Sequence, residues 1–371
     1  RRRVAPPRPP GSAVTGLEFN ARVRAIPVYP AASTYEFHGE LVKLASNETP
    51  FSPHPQVLEA VEAQLRTLNR YPDPAKSALR KRLSERTGVP TGRIAVGNGS
   101  CELLLAGAEA MLEPGAELVY AWPSFSMYPQ LAPLSGAREI RVPLDDEYRH
   151  DLDSMAQEIT VATQLVIVCN PNNPTGTALP AAEIEAFLER VPGHVTVIID
   201  EAYIEMQVLD DPDATLDLLP RFPNLVLLRT FSKVYGMAGL RCGYALGSSA
   251  FRGAVDAVRQ PFSVNLLSQA AGAEAIRHGD DVLDRVEKTI AERIGMEEEL
   301  RGMGLKTADT QTNFSWIDLG DRDEDEIVEG LGRAGVIVRP GTPLGGPGHI
   351  RVSYGTAAEN QRFLTALQEL L

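Results

Sequence analysis

The sequence predicts an α/β protein, with a large domain built on a mainly parallel, doubly wound sheet and a smaller α+β domain after it. Three observations carry this. Seven short, nearly all-apolar strand candidates follow one another between residues 94 and 246. Most are separated by stretches with helical spacing, the alternation expected of a parallel sheet. Runs without polar alternation belong to strands covered on both faces. After about residue 265 the texture changes to a long charged helix followed by mixed strands and helices.

Residues 1–16, RRRVAPPRPPGSAVTG, are basic, Pro-rich and aperiodic; they bury too little apolar surface to offset ordering entropy and read as a flexible arm. No apolar stretch follows the arginines, so a signal peptide is not expected. PQVLEAVEAQLRTLN has helical spacing with Pro55 in its first turn, and KSALRKRLSERTG repeats it, stopping at Gly88 as a C-cap. The strand candidates are IAVG, ELVYA, EIRVPL, QLVIVCN, VTVIID, NLVLLRT and GYAL, with helices such as ELLLAGAEAML and AAEIEAFLER between them. The large domain is expected over 46–265. The smaller one, 266–371, holds the helix DDVLDRVEKTIAERIGMEEELRGMG, FSWIDL, a helix near EDEIVEGLGRAG, the strands VIVRP and HIRVSYG, and a terminal helix opened by the capping box Thr356 and Glu359.

The chain has 371 residues, 43% hydrophobic and 23% charged, enough for about two domains. Acidic residues outnumber basic ones 49 to 36, a net charge of -13, which repels nucleic acid. No apolar run approaches the ~20 residues that cross a bilayer. Cys101, Cys169 and Cys242 are odd in number and far apart, which suits reduced thiols in a cytoplasmic protein. The six histidines are scattered and no H-E-x-x-H occurs, so no metal is expected.

Polar residues collect at the ends of predicted strands, where open α/β sheets bind ligands. Asn98-Gly99-Ser100-Cys101-Glu102 is a glycine turn entering a helix, suited to a phosphate; GNGSCE lacks the third glycine of a dinucleotide fingerprint. Cys169 to Gly176, CNPNNPTG, follows a second strand. Asp200 closes a third, with Tyr203 three residues on. Thr230-Phe231-Ser232-Lys233 leads to Arg241. Taken singly these are a helix start, a loop, an N-cap and a surface lysine. Together they supply what an aldehyde-phosphate cofactor needs: a lysine for a Schiff base, an acid for a pyridinium nitrogen and two anion-binding turns.

CNPNNPTGT, IDEAY and RTFSKVYGMAGLRCGYALG resemble the fold-type I, pyridoxal-phosphate-dependent aminotransferases of classes I and II. LASNETPFSP, NRYPDP, GNGSCELL, WPSFSMYP, NFSWIDL and IRVSYGT are similar to the histidinol-phosphate branch, which includes relatives acting on aromatic amino acids. The resemblance runs from about residue 24 to the end. It implies an aspartate aminotransferase-like fold, pyridoxal 5'-phosphate as cofactor and a homodimer, with residues 17–45 contributing to the small domain and the dimer contact. Lys233 would hold the cofactor covalently and then shuttle a proton. Asp200 would pair with the ring nitrogen, Asn173 and Tyr203 with the phenolic oxygen, and Phe125 would stack on the ring. Ser100, the backbone of Cys101, Thr230, Ser232 and Arg241 would hold the phosphate, joined by Tyr71 of the neighbouring subunit. Cys101 stands where the family more often has Asp or a small residue, and Phe125 where it more often has Tyr.

The same resemblance assigns Arg351 and Arg339 to the substrate's anionic group and Tyr29 to the substrate site. GTPLGGPG, between the arginines, reads as a flexible loop. Histidinol phosphate with 2-oxoglutarate as acceptor is the leading expectation and an aromatic amino acid the alternative, because one side-chain contact is worth only ~1 to 3 kcal/mol. A lyase or decarboxylase on the same fold, and a nucleotide-binding protein using GNGSCE, are the competing classes.

Overall fold

Seven strands form the main sheet of this computed structural model, which describes residues 20, 24, 26 and 39–371. The expected arm at residues 1–16, and Tyr29, lie outside the described residues. After β1 (Val42–Lys43) come β2 (Ile94–Gly97), β3 (Glu117–Trp122), β4 (Arg138–Pro143), β5 (Thr163–Cys169), β6 (Thr196–Asp200), β7 (Leu225–Thr230) and β8 (Gly243–Leu246). The order across the sheet is β2-β8-β7-β6-β5-β3-β4, with β8 antiparallel to both neighbours and the other pairs parallel. All seven strand candidates are strands, in a mostly parallel sheet.

Why they read as unbroken apolar runs is plain from the packing. Val166, Val168, Val197, Ile199, Leu225 and Leu227 pack into one core, while Leu165, Ile167, Ile198, Val226 and Leu228 pack into a second on the opposite face. Side chains alternate faces along each strand, yet both faces are covered, so no polar position is left. Each such aliphatic side chain contributes about 1.5–3 kcal/mol on burial. Among the described residues no helix is long and apolar enough to cross a membrane.

A third core surrounds a smaller antiparallel sheet of β9 (Lys306–Thr307), β10 (Phe314–Asp318), β12 (Arg339–Pro340) and β13 (His349–Ser353), ordered β12-β13-β10-β9. The segment VIVRP is not one strand. Its first half, β11 (Val336–Ile337), pairs in parallel with β1, and its second half, β12, pairs with β13. Residues 39–45 therefore join the smaller body through β1.

Helix Leu266–Ala275, assigned by composition to the second domain, packs instead on the large body. Ala271 and Ala275 lie in the core that holds Leu79 and Leu83, and a Cβ at Gly272 would stand 3.1 Å from Leu79. Small residues let this helix nest against its neighbours, and only the next helix, Gly279–Gly302, delivers Met296 and Leu300 to the smaller core. GTPLGGPG is packed rather than free: a Cβ at Gly345 would meet Trp122 at 2.4 Å, and one at Gly346 would meet Trp316 at 2.4 Å.

The turn from β2 into helix Ser100–Met111 depends on a close backbone approach. A Cβ at Gly243 would lie 2.4 Å from the Ser100 nitrogen and 2.8 Å from the Gly99 carbonyl carbon. Neither backbone atom can yield cheaply, so Gly243→Ala is expected to lower stability by about 1–3 kcal/mol in urea unfolding. Gly253→Ala, in the exposed middle of helix Ser249–Val258 with nothing within 4 Å, should be neutral or stabilising by up to ~1 kcal/mol.

Candidate active site

Parallel strands end on the same edge of a sheet. Cys169 and Asp200 are direct register partners at the ends of β5 and β6, and Thr230 closes β7 beside them. The loops that follow enclose a cavity of about 560 Å3. Twelve residues singled out from the sequence line it: Ser100, Cys101, Phe125, Asn173, Asp200, Tyr203, Thr230, Ser232, Lys233, Arg241, Arg339 and Arg351. Tyr71 does not. It is 81% exposed and stacks on Phe262, ring centroids 4.6 Å apart.

Asp200 is buried, and Oδ2 accepts a hydrogen bond from the Tyr128 hydroxyl at 2.9 Å. Oδ1 has no hydrogen-bond partner among the described residues. Burial pushes the carboxyl up to about 6 against the opposing pull of the Tyr128 bond. The Lys233 amine donates to the Asn47 and Ser46 carbonyls at 3.1 and 3.3 Å. Burial, reinforced by the Arg351 guanidinium, pulls it down to about 8. Burial likewise raises the Cys101 thiol, with the nearby Asp200 carboxylate adding to the effect.

At the anion end, Gly99 has φ +78, and a Cβ there would stand 2.7 Å from Arg241 Nη2. Glycine thus lets the guanidinium close on the start of helix Ser100–Met111, whose first N–H groups have no side-chain cap. The Ser232 N–H and the Thr230 hydroxyl bond each other's side of the neighbouring turn: Ser232 N donates to Thr230 Oγ1 at 3.1 Å, and Thr230 Oγ1 donates to Ser232 Oγ at 2.9 Å. Beneath them Arg229 holds Glu201 at 2.6 Å and Asp213 at 2.8 Å.

On the opposite wall Arg339 and Arg351 are register partners on β12 and β13, both buried. Arg351 donates to Asn173 Oδ1 at 2.5 Å and to the Ala45 carbonyl at 2.7 Å. Sequence reasoning missed Asn47, which lines the cavity, has φ +53 and donates from Nδ2 to the Tyr203 hydroxyl at 2.9 Å. Its signal was present, since it sits inside LASNETPFSP, but nothing marked this asparagine among the polar residues of that segment.

Scattered histidines do meet in space. His54 and His278 stack at 4.0 Å, and with Asp281 they bring three donor atoms within 4.8 Å. The facing atoms already have partners: His54 Nε2 lies 3.2 Å from Asp281 Oδ2, and His278 Nε2 lies 3.0 Å from Glu274 Oε1.

The main cavity fits pyridoxal phosphate. Asp200 Oδ1 is an orphaned buried acceptor suited to a ring N–H, Lys233 offers an amine of lowered basicity, and the Gly99 turn with Arg241 offers an anion seat.

The family model for aminotransferases of classes I and II matches residues 39–367. An aromatic amino acid aminotransferase of Streptomyces coelicolor is 40% identical over 357 residues, covering 96% of this chain and 98% of that protein. A histidinol-phosphate aminotransferase of Geobacillus thermodenitrificans is 40% identical over 361 residues, covering 96% and 98%. Among solved structures, histidinol-phosphate aminotransferase from Sinorhizobium meliloti in complex with pyridoxal-5'-phosphate superposes with a TM-score of 0.85 at 28% identity, covering 97% of this chain and 98% of that one.

An acid whose folded pKa is raised costs stability once it ionises. For Asp200 the cost is absent below the unfolded value near 4, grows as pH rises through about 6 and is constant above. In the cofactor-free chain Asp200→Asn should therefore raise the unfolding free energy from urea titration at pH 8 by an amount on the order of 2–3 kcal/mol, with the gap closing toward pH 4.

Proposed function

The chain belongs to the aminotransferases of classes I and II, and on that premise we propose that it binds pyridoxal 5'-phosphate at Lys233 and transfers the amino group of histidinol phosphate to 2-oxoglutarate. The observation that carries the proposal is the pairing, in one cavity, of an amine near 8 with an unpartnered buried carboxylate oxygen. The cofactor, when bound, supplies an electrophilic carbon for amines and a ring that accepts the electrons released as the substrate's Cα–H bond breaks.

The protein's residues do the rest. Lys233, lowered to about 8, has a usable unprotonated fraction near neutral pH, so it would hold the cofactor by its amine and would be the group placed to carry the Cα proton. Asp200 would keep the ring nitrogen protonated, with Oδ1 as the acceptor. Asn173 and Tyr203 serve the phenolic oxygen. Ser100, the Cys101 N–H, Thr230, Ser232 and Arg241 hold the phosphate.

Arg351 and Arg339 serve the substrate's anion. Two buried guanidiniums side by side suit the dianionic phosphate of histidinol phosphate, and they also suit the two carboxylates of 2-oxoglutarate. An aromatic amino acid is the second reading, favoured by the 40% identity to the Streptomyces enzyme, equal to that of the Geobacillus one.

We also propose a homodimer in which Tyr71 reaches the partner's cofactor phosphate. An aromatic ring 81% exposed, with Leu65 and Leu68 exposed beside it in sequence, supports a covered surface there. Tyr71→Phe should weaken cofactor retention about 10-fold in dialysis while leaving the elution volume of the dimer unchanged.

Single-turnover kinetics of the loaded enzyme test the substrate. Histidinol phosphate should react faster than phenylalanine; phenylalanine faster by about 10-fold, ~1.4 kcal/mol, would reverse the assignment. Arg339→Ala should lower kcat/KM for histidinol phosphate by about 100-fold and for phenylalanine by less than about 10-fold, because only the former loses a charged hydrogen bond worth ~2–3 kcal/mol.

A further inference from the structure

We infer that Asn47 is a positioning residue that turns the Tyr203 hydroxyl proton into the cofactor cavity, and that Ser353 of the small sheet enforces its orientation. The inference rests on the cofactor reading above and deepens it.

The hydrogen bonds of Ser353, Asn47 and Tyr203 run in one direction. Ser353 Oγ accepts the Asn47 backbone N–H at 2.8 Å, so its single proton is free for another acceptor. It goes to Asn47 Oδ1 at 3.2 Å, which assigns the amide oxygen to the Ser353 side and the NH2 to the Tyr203 side. Nδ2 then donates to the Tyr203 oxygen at 2.9 Å. Having accepted there, the phenol must aim its own proton elsewhere, and among the described residues no acceptor is recorded for it. Tyr203 lines the cavity, so the proton is available to the phenolic oxygen of a bound pyridoxal ring.

Other contacts hold Asn47 in place. It is 1% exposed, its φ of +53 is a conformation that asparagine tolerates better than most residues, and its carbonyl accepts from Asn313 Nδ2 at 3.2 Å. The same carbonyl receives the Lys233 amine at 3.1 Å. One residue of the N-terminal segment thus touches the Tyr203 hydroxyl through its side chain and the Lys233 amine through its backbone. Those two roles are separable by mutation.

A hydrogen bond to the phenolic oxygen stabilises its anion and lowers the pH at which the chromophore loses its proton. Asn47→Gly deletes the amide while keeping a residue at ease at positive φ. The pH midpoint of the loaded enzyme's visible absorption should then rise by about 0.5–1 unit. Ser353→Ala, which frees the amide to flip, should raise it less. In a Tyr203→Phe background Asn47→Gly should add nothing, because the effect travels through that hydroxyl. In the cofactor-free chain the Lys233 amine, followed by the pH dependence of its reaction with trinitrobenzenesulfonate, should keep its wild-type midpoint in Asn47→Gly, since the backbone carbonyl remains.

If both single variants load cofactor and titrate as wild type, or if Asn47→Gly shifts the midpoint equally with and without the Tyr203 hydroxyl, the inference is overturned and the aminotransferase reading stands. If wild-type protein takes up no pyridoxal phosphate at all, both are overturned together.

Discussion

Two ionisable groups, the buried Asp200 carboxyl and the half-buried Lys233 amine, stand without an ion-pair partner among the described residues, and the rest of the structure is arranged around keeping them so. Each is shifted toward its neutral form chiefly by burial. Such groups persist only where their surroundings are rigid enough to prevent them from finding water or each other. Rigidity at Asp200 comes from β6, the middle strand of seven, with covered cores on both faces and Tyr128 clamped to Oδ2. Rigidity at the turn carrying Lys233 comes from below, where Arg229 is buried between Glu201 and Asp213; removing one partner of such a cluster strands an uncompensated charge.

The smaller body reaches the site through hydrogen bonds. Ser353 and Asn313 reach Asn47, and Arg351 reaches Asn173 and the Ala45 carbonyl. Neutral amides and hydroxyls set the positions of the charged groups without neutralising them, which preserves the lowered basicity of Lys233. The split of VIVRP serves the same end. Its first half anchors the N-terminal segment through β1, and its second half places Arg339 opposite Arg351.

Arg339 and Arg351 form one wall of the cavity, and Arg351 touches Asn173 across it. Relatives named for aromatic amino acids, at 40–44% identity, and relatives named for histidinol phosphate, at 40%, stand close together in similarity to this chain. A single side-chain contact changes the preference between two such substrates by only ~1 to 3 kcal/mol.

Local rules made much of this molecule legible in one dimension. Seven strands were readable because a strand covered on both faces must be apolar throughout, and helix ends at Gly88 and Thr356 were readable because caps are local chemistry. Nine cavity residues were readable because their motifs sit at strand ends, which parallel pairing brings together, whereas Phe125, Arg339 and Arg351 were named only through the family resemblance. What needed the tertiary structure was every relation between distant segments. The docking of Leu266–Ala275 on the large body, the meeting of His54 with His278 and the bond from Asn47 to Tyr203 join residues whose separation in sequence carries no signal. The sequence by itself determined which strands and which chemistry were available; packing alone decided the protonation setting of the site, because burial and hydrogen-bond direction are properties of neighbours in space.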